Sequence, residues 1–133
     1  MLQILETEIG SDYSKELHSM LIDEWQDMRK FESEKFGIKI PNLIVAIVSC
    51  QVIGGASFTS YKEPDGSKIV IWLNALYVRS RNGNQGIATQ IIQASQGVAS
   101  DLYALTDIPD LYTKVGWQIV KADENGTVVK QAK

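Results

Sequence analysis

Apolar and polar residues alternate along residues 2–7, and this period of two predicts a β-strand. In the next segment the apolar residues are spaced three and four apart, which predicts an amphipathic helix with Ser11 or Asp12 as its N-cap. Beyond that helix, Gly37 and Pro41 interrupt the pattern, so a connector or a short second helix is expected there. The apolar face of the first helix is predicted to contain Tyr13, Leu17, Met20, Leu21, Trp25, Met28 and Phe31.

Two β-rich runs follow, residues 43–49 and 51–60, and they predict a hairpin that turns at Ser49-Cys50-Gln51. This turn lacks the Asn-Gly pair that two-residue hairpins prefer. A second turn is predicted at Glu63-Pro64-Asp65-Gly66, where proline and glycine are the residues that turns favour. The first half of the chain is therefore expected to contain antiparallel strands.

Residues 69–78 are apolar at successive positions, which is typical of a central strand covered on both faces. Asn74 is the one polar interruption, and it predicts either a β-bulge or a stretch of backbone that faces a ligand. After this strand a glycine-rich turn, Gly83-Asn84-Gln85-Gly86, leads into a second amphipathic helix that Gly97 is placed to end. A strand, a loop and a helix therefore follow one another in the middle of the chain.

The rest of the pattern predicts one more strand, a short helix and a final hairpin around Asn125-Gly126, at residues 102–106, 109–116, 117–123 and 127–130. The complete order is β-α-(α)-β-β-β-α-β-α-β-β. Hairpins at both ends surround one β-loop-α-β crossover, so the predicted class is α+β (mixed α/β). The sheet should be central, mixed and mostly antiparallel, flanked by helices, in a single domain over residues 1–133.

The composition excludes several function classes. A chain of 133 residues with a formal charge of −3 lacks the basic surplus of a nucleic-acid-binding protein. One cysteine, Cys50, and one histidine, His18, exclude a disulfide framework and a zinc site built from these residue types. The longest apolar run is too short to span a bilayer, and the acidic N-terminus is unlike a signal peptide. We therefore expect a cytoplasmic protein without metal, membrane or nucleic-acid partners.

The turn before the second helix carries a signal for anion binding. A glycine-rich turn that opens a helix leaves backbone N–H groups unpaired at the positive end of the helix dipole, and such an end binds phosphate. The turn has neither the Lys-Ser/Thr of a Walker A loop nor the three glycines of a dinucleotide fingerprint. The N–H groups would come from Asn84, Gln85, Gly86, Ile87 and Ala88.

Two motifs resemble those of the GNAT superfamily of acyl-CoA-dependent N-acyltransferases. Leu76-Tyr77-Val78, followed by the loop and Gln85-Gly86-Ile87-Ala88-Thr89, is similar to the family's acyl-CoA motif at the end of the central strand. Leu111-Tyr112-Thr113-Lys114-Val115-Gly116-Trp117 is similar to its later Leu/Phe-Tyr-x-x-x-Gly-Phe/Trp motif. The two lie in the family order, and the predicted elements match the family fold over nearly the whole chain.

The resemblance implies acetyl transfer from acetyl-CoA to a primary amine, by direct attack in a ternary complex. It implies that the central strand separates from its neighbour at a bulge and that the pantetheine arm bonds the exposed backbone. Leu76 N–H would face the thioester carbonyl, and Tyr112 would protonate the departing thiolate, so these two are the predicted catalytic residues. The predicted acetyl-CoA contacts are Leu76, Tyr77, Val78, Arg81, Gly83, Asn84, Gln85, Gly86, Ile87, Ala88 and Thr89.

The chain departs from the family pattern in the loop and on the central strand. Gly83 stands where the motif has Arg or Gln, and Trp72 stands where several members carry a glutamate. An alkylamine with a pKa near 10.4 costs about 4–5 kcal/mol to be neutral at pH 7, so a base is expected elsewhere. The candidate bases are Asp107, Glu63, Glu24 and Glu32, and the aromatic candidates for an acceptor pocket are Trp25, Phe31, Phe36, Tyr61 and Trp72.

Two other functions stay open at this point. One is a non-catalytic acyl-CoA-binding or regulatory module, which the loop and the missing strand glutamate favour. The other is a structural α+β domain that binds no ligand. The acceptor itself, a small molecule or a peptide amine, is not identified by the sequence, because acceptor pockets are built from variable loops. Dimers are common in the superfamily, so the resemblance also leaves a homodimer open.

Overall fold

A computed structural model describes residues 1–26, 28–79 and 86–131 of the chain. Within these ranges the chain forms strands and helices in the order β1, α1, β2 to β6, α2, β7, α3, β8 and β9. Their bounds are β1 Leu2–Thr7, α1 Asp12–Glu24, β2 Glu34–Lys35, β3 Ile38–Lys39, β4 Leu43–Val48, β5 Gln51–Lys62, β6 Ile69–Val78, α2 Ile87–Ser95, β7 Leu102–Thr106, α3 Asp110–Thr113, β8 Gln118–Asp123 and β9 Gly126–Lys130.

Seven of the described strands form one sheet in the order β1-β4-β5-β6-β7-β9-β8. Its neighbours pair antiparallel except for β6 and β7, which run parallel and are joined through α2. Parallel neighbours need a long crossover, and the helix predicted after the glycine-rich turn supplies it. The predicted mixed, mostly antiparallel sheet is confirmed.

Helices cover both faces of this sheet. Side chains of α2 and α3 pack on one face, where Ile91 and Ile92 of α2 are fully buried. α1 packs on the other face over β4 and β5, with Leu17 and Leu21 fully buried. β6 contributes to both layers, because Leu73 packs with the α2 cluster and Ala75 with the α1 cluster. This accounts for the continuous apolar run of the central strand.

α1 begins where predicted and ends earlier than the apolar spacing suggested. Ser11 is the N-cap, and its hydroxyl accepts the Ser14 N–H at 3.1 Å. The helix ends at Glu24, because Trp25 takes an extended conformation with φ −127°. The predicted continuation of the helical face through Trp25, Met28 and Phe31 is therefore wrong. Met28 and Phe31 still pack against the α1 cluster, so their spacing reflects burial in an irregular segment.

A two-stranded hairpin, β2–β3, stands where a connector or short second helix was expected. The turn residues Phe36 and Gly37 have φ of 55° and 75°, the left-handed pair that a tight type I′ hairpin turn requires. Lys35 pairs with Ile38 across this turn. The β4–β5 turn uses the same solution, since Ser49 and Cys50 have φ of 51° and 64°. That predicted hairpin is confirmed although neither turn residue is glycine.

The last hairpin is also confirmed, with its turn one residue earlier than predicted. Asp123 pairs with Gly126, so the two turn residues are Glu124 and Asn125. The Asp123 Oδ1 atom accepts the Asn125 N–H at 2.8 Å, which is the local bond that favours Asp at the start of a turn. Gly126, with φ 125°, then begins β9.

The close approach of β5 to β6 at Gly54 can be tested by substitution. A Cβ atom at Gly54 would lie 2.5 Å from the Tyr77 carbonyl oxygen, a backbone atom that cannot move aside. We predict that Gly54→Ala lowers the free energy of unfolding by about 1–3 kcal/mol through overpacking, measured by urea denaturation. Gly10→Ala is the control, since nothing lies within 4 Å of that position and only its positive φ opposes alanine. A smaller loss of unfolding free energy in Gly54→Ala than in Gly10→Ala would contradict the close contact between Gly54 and the Tyr77 carbonyl.

Candidate active site

β6 and β7 separate in the middle of the sheet. Their parallel pairing covers Ile71 with Leu102, Trp72 with Tyr103 and Leu73 with Ala104, and it ends there. β6 continues to Val78, and among the described strands β5 alone pairs with this part of it. The separation coincides with a bulge, because Leu73 pairs with Phe58 and Ala75 with Ser57, which leaves Asn74 as the extra residue. The predicted bulge at Asn74 is confirmed, and one edge of β6 is left open beyond it.

Strand geometry decides which amides face the open edge. The Arg79 N–H donates to Ile53 O of β5 at 2.8 Å. Backbone groups of successive residues point to opposite sides of a strand, so Tyr77 also directs its N–H toward β5. Leu76 and Val78 consequently direct their N–H and C=O groups to the edge that β7 has left. This is the orientation that the predicted pantetheine contacts require.

The N-terminus of α2 follows directly after this edge. Gly86 is its N-cap, with a left-handed φ of 72°. No atom of the described residues lies within 4 Å of a Cβ built there, so on that side the described chain leaves the backbone open to a ligand. The first helical bond is donated by Gln90 to Gly86 O, so the N–H groups of Ile87, Ala88 and Thr89 precede the helical pattern. The Thr89 hydroxyl is buried and has no hydrogen-bond partner among the described residues.

Four of the predicted acetyl-CoA contacts fall outside the described residues. They are Arg81, Gly83, Asn84 and Gln85, which precede Gly86. The described part of the predicted phosphate site therefore consists of Gly86 and the first turn of α2. Its charge and geometry are those of an anion site at a helix N-terminus.

Tyr112 lies in α3 and is buried on the α2 face of the sheet. It is 3% exposed, and its ring packs edge-on against Trp117 with centroids 5.1 Å apart. The backbone N–H of Trp117 donates to the backbone carbonyl oxygen of Tyr112 at 3.2 Å, which links the two aromatic residues of the predicted motif. The cluster that contains Tyr112 also contains Leu73 and Ala104, the last pair before the strands separate. The motif thus places the Tyr112 ring in the same apolar layer as the last β6–β7 pair.

Burial raises the pKa of the Tyr112 phenol to about 12. The phenol therefore stays protonated across the physiological range. Between reference pKa values, proton transfer from tyrosine to a thiolate is uphill by about 2 kcal/mol. With the phenol near 12 the difference from a thiol of pKa 8.5 rises to roughly 5 kcal/mol. Burial of Tyr112 therefore makes proton transfer from its phenol to a thiolate less favourable.

A cavity of about 890 Å³ reaches the same separation point from the α1 side. Leu73 and Asn74 of β6 and Leu105 of β7 line it, and these are the residues at which the strands part. Ser57 and Thr59 of β5 also line the cavity. The segment between α1 and β4, the β5–β6 turn and the β8–β9 hairpin form its walls. The open edge of β6 is therefore next to a cavity large enough for a small molecule.

The cavity divides the candidate bases and aromatic residues into two groups. Glu32 and Glu63 line it, and so do Phe31, Tyr61 and Trp72. Asp107, Glu24, Trp25 and Phe36 are not among its lining residues. Trp25 instead packs edge-on against Tyr77 at 6.1 Å between centroids. Trp72, at the position of the family's glutamate, donates its indole N–H to Lys62 O at 3.1 Å and packs against Tyr103.

Sequence reasoning missed most of the polar residues that line the cavity, among them Lys35, Ser57 and Thr59. Ser57 and Thr59 lie two apart on β5, and this spacing puts them on the same face of the strand. Two hydroxyls at alternate positions of a largely buried strand are the signal that could have indicated a polar pocket. Lys35 had no such signal, because its position depends on the unpredicted β2–β3 hairpin.

His18 and Cys50 do not enter the site. The His18 Nε2 atom donates to Arg29 O at 3.1 Å, and the ring packs edge-on against Phe31. Cys50 is exposed in the β4–β5 turn. Among residues 1–26, 28–79 and 86–131, no three His, Cys, Asp or Glu side chains are grouped to hold a metal ion. No helix in these ranges is both long and apolar enough to cross a membrane.

Comparisons with known proteins give matches in structure but not in sequence. No protein-family model and no curated protein matches the chain. An acetyltransferase of the GNAT family from Staphylococcus aureus Mu50 superposes with a TM-score of 0.62 at 13% identity, over 98% of each chain. The loading GNATL domain of CurA from Lyngbya majuscula gives 0.62 at 13% identity, over 98% of this chain and 97% of that one. The chain has the GNAT fold.

A further structural match has coenzyme A bound. N-acetylglutamate synthase from Neisseria gonorrhoeae, complexed with coenzyme A and N-acetyl-glutamate, superposes with a TM-score of 0.57 at 15% identity. The match covers 98% of this chain and 35% of the synthase. Identities of 13–15% establish the fold alone. The separation of β6 from β7 at a bulge is the feature that the resemblance to the superfamily implied.

The raised pKa of Tyr112 can be read by spectrophotometric titration. We predict that the native protein and Tyr112→Phe give the same phenolate absorbance at 295 nm up to about pH 11, because the buried phenol ionises near 12. A folded-state pKa above the unfolded value also means that stability is lost as the pH rises from about 10 toward 12. The variant should therefore show a smaller loss of stability over that range. A difference spectrum with a midpoint near pH 10 would contradict the burial of the hydroxyl.

Proposed function

We propose that this protein is an acyl-CoA-dependent N-acetyltransferase that transfers an acetyl group from acetyl-CoA to a primary amine. The observation that carries the proposal is the separation of β6 from β7 beyond Leu73, with the bulge at Asn74. It leaves backbone donors and acceptors facing a gap rather than a strand. Such groups need a partner, and an extended chain with amide groups, such as pantetheine, has the right chemistry to provide one.

In this proposal acetyl-CoA lies along the open edge of β6 with its diphosphate at the N-terminus of α2. Leu76 and Val78 bond the acyl and pantetheine groups through the backbone. The diphosphate is held by N–H groups from Gly86 to Thr89, together with Arg81, Gly83, Asn84 and Gln85 of the preceding loop. The open space over Gly86 and the unpartnered Thr89 hydroxyl support this position. Tyr77, the other predicted contact in this stretch, directs its N–H toward β5 and keeps the strand paired there, so Leu76 and Val78 supply the backbone bonds to the ligand.

The reaction is direct attack in a ternary complex. The neutral amine forms a C–N bond with the thioester carbonyl carbon, and the Leu76 N–H donates to the oxygen as its charge develops. The C–S bond then breaks, and the Tyr112 hydroxyl gives its proton to the departing sulfur. The ammonium proton leaves to a base, for which Glu32 and Glu63 are the cavity-lining candidates. That proton returns to the phenolate through solvent, so the enzyme is restored.

The high pKa of Tyr112 determines when its proton can move to the sulfur. Transfer to a thiolate of reference pKa is uphill by roughly 5 kcal/mol, so the phenol does not protonate sulfur before the C–S bond breaks. The same apolar surroundings raise the pKa of a thiol held there, which reduces the difference. We therefore place Tyr112 as a hydrogen-bond donor whose proton moves as charge appears on the sulfur.

The alternative is a non-catalytic acyl-CoA-binding module. Trp72 favours it, because the strand position that holds a glutamate in several superfamily members is here a packed indole. In this alternative acetyl-CoA binds and no acceptor is acetylated. The cavity beside the separation point favours catalysis, since a binding module has no need of a second pocket at the acyl end.

Binding of acetyl-CoA is tested by thermal unfolding. Acetyl-CoA at 100 times its dissociation constant should stabilise the native state by about 2.7 kcal/mol and raise the melting temperature by several degrees. ADP at the same concentration is the control for a contact limited to the nucleotide. No shift with acetyl-CoA would contradict both the enzyme and the binding module.

Catalysis is tested by measuring CoA release with Tyr112→Phe. Loss of a general acid typically lowers turnover by about 10²–10⁴-fold, and we expect a fall in this range with acetyl-CoA affinity nearly unchanged. Tyr13→Phe on α1 is the matched control and should turn over as the native protein does. Equal turnover of Tyr112→Phe would remove the acid role. A thermal shift without CoA release from any amine would favour the binding module.

A further inference from the structure

The cavity beside the separation point is more basic than the protein as a whole. The chain carries a formal charge of −3. Among the described residues that line the cavity, cationic side chains nevertheless outnumber carboxylates. The cations are Arg29, Lys30, Lys35, Lys62 and Lys121, and the carboxylates are Glu32, Glu63 and Asp123.

Two of these charged residues, Lys121 and Asp123, already lie close to each other. Lys121 Nζ lies 3.0 Å from Asp65 Oδ1 and 3.8 Å from Asp123 Oδ2. Asp123 also accepts the Asn125 N–H. Arg29, Lys30, Lys35 and Lys62, in contrast, have no carboxylate within 4 Å in the described part of the chain. The cavity therefore holds unneutralised positive charge.

Lys35 is fixed in place more firmly than a surface lysine. Its ammonium donates to the Thr59 hydroxyl at 3.3 Å, and its backbone oxygen accepts the Ser60 hydroxyl at 2.7 Å. Ser60 is fully buried, so the second bond anchors the β2–β3 hairpin to β5. A half-buried ammonium held by a neutral hydroxyl keeps its charge available for an anion. Because the Lys35 side chain is already held in place, binding an anion costs it little further conformational entropy.

Ser57 supplies a second, independent observation. The residue is 1% exposed and lines the cavity, and its hydroxyl has no hydrogen-bond partner in the part of the chain that the structure describes. A buried hydroxyl without a partner is destabilising, so a bound molecule that pairs with it recovers that cost. Ser57 pairs with Ala75 next to the bulge at Asn74, and it lies two residues, about 7 Å, from Thr59 along β5.

We propose that the acceptor is a small amine that carries an anionic group, a carboxylate or a phosphate. This rests on the proposed function. Lys35 binds the anionic group, and Ser57 bonds a polar group of the acceptor between Lys35 and Asn74. The amine then lies at the separation point, where Leu73, Asn74 and Leu105 line the cavity. The excess of cationic side chains disfavours polycationic acceptors by like-charge repulsion.

The experiment compares acceptors that differ only in the anionic group, with CoA release as the readout. The pairs are β-alanine with β-alaninamide, 4-aminobutyrate with 4-aminobutyramide, and 2-aminoethyl phosphate with ethanolamine, and putrescine is the cationic comparator. We expect at least one anionic member to exceed its neutral partner tenfold or more in kcat/KM, and putrescine to be the poorest. The carboxylate and phosphate arms show which anion is preferred.

Variants then assign the anionic contact to Lys35. Lys35→Met should raise KM for the preferred anionic acceptor by about 10–100-fold, the loss expected for a charge-assisted hydrogen bond, and KM for acetyl-CoA should not change. Lys35→Arg should recover much of the loss. Lys39→Met is the matched control, an exposed lysine of the same hairpin that does not line the cavity, and should behave as the native protein does.

Ser57→Ala separates a binding role from a structural one. Removal of an unpartnered buried hydroxyl should leave the melting temperature unchanged or raised, while KM for the acceptor rises several-fold. An unchanged KM would overturn the Ser57 contact. Equal or better use of the neutral or cationic acceptors, or an unchanged KM in Lys35→Met, would overturn the anionic acceptor while acetyl transfer stands. CoA release from no acceptor, with acetyl-CoA bound, would instead overturn the transferase.

Discussion

The loss of hydrogen bonding between β6 and β7 after Leu73 is the constraint on which the rest of this structure depends. A central strand is normally paired on both edges, since unpaired buried backbone groups cost about as much as lost hydrogen bonds. Here the bulge at Asn74 and the departure of β7 open one edge. The other edge stays paired with β5, as the Arg79–Ile53 bond shows. Pairing with β5 therefore holds β6 in place, and the backbone groups at its other edge can bond a ligand.

The two faces of the sheet give the open edge two different surroundings. On the α2 side lie the first turn of α2 and the buried Tyr112, a donor-rich helix end and a protonated phenol. On the α1 side lies the cavity, with Lys35 and Ser57 in its lining. The separation of the strands is the point at which both sides meet. In the proposed reaction the acyl donor lies at the open edge, and the acceptor reaches the carbonyl carbon of that donor from the cavity.

The sequence predicted the elements that carry the donor side better than those that shape the acceptor side. The bounds of β6, the bulge at Asn74 and the helix after Gly86 followed from a continuous apolar run, one polar interruption and a glycine turn. These signals are local, so a single sequence reveals them. The β2–β3 hairpin was missed because Phe36 adopts a left-handed conformation that its residue type disfavours. The position of Lys35 depends on that hairpin and on contacts with β5, which no local pattern encodes.

Hydrogen exchange of individual amides, followed by NMR, tests the role of the open edge most directly. In the free protein the account predicts slow exchange at Tyr77 and Arg79, which face β5, and fast exchange at Leu76 and Val78. Saturating acetyl-CoA should slow exchange at Leu76 and Val78 and change the other two little. Unchanged exchange at Leu76 and Val78, with acetyl-CoA bound, would contradict the claim that this edge holds the acyl donor.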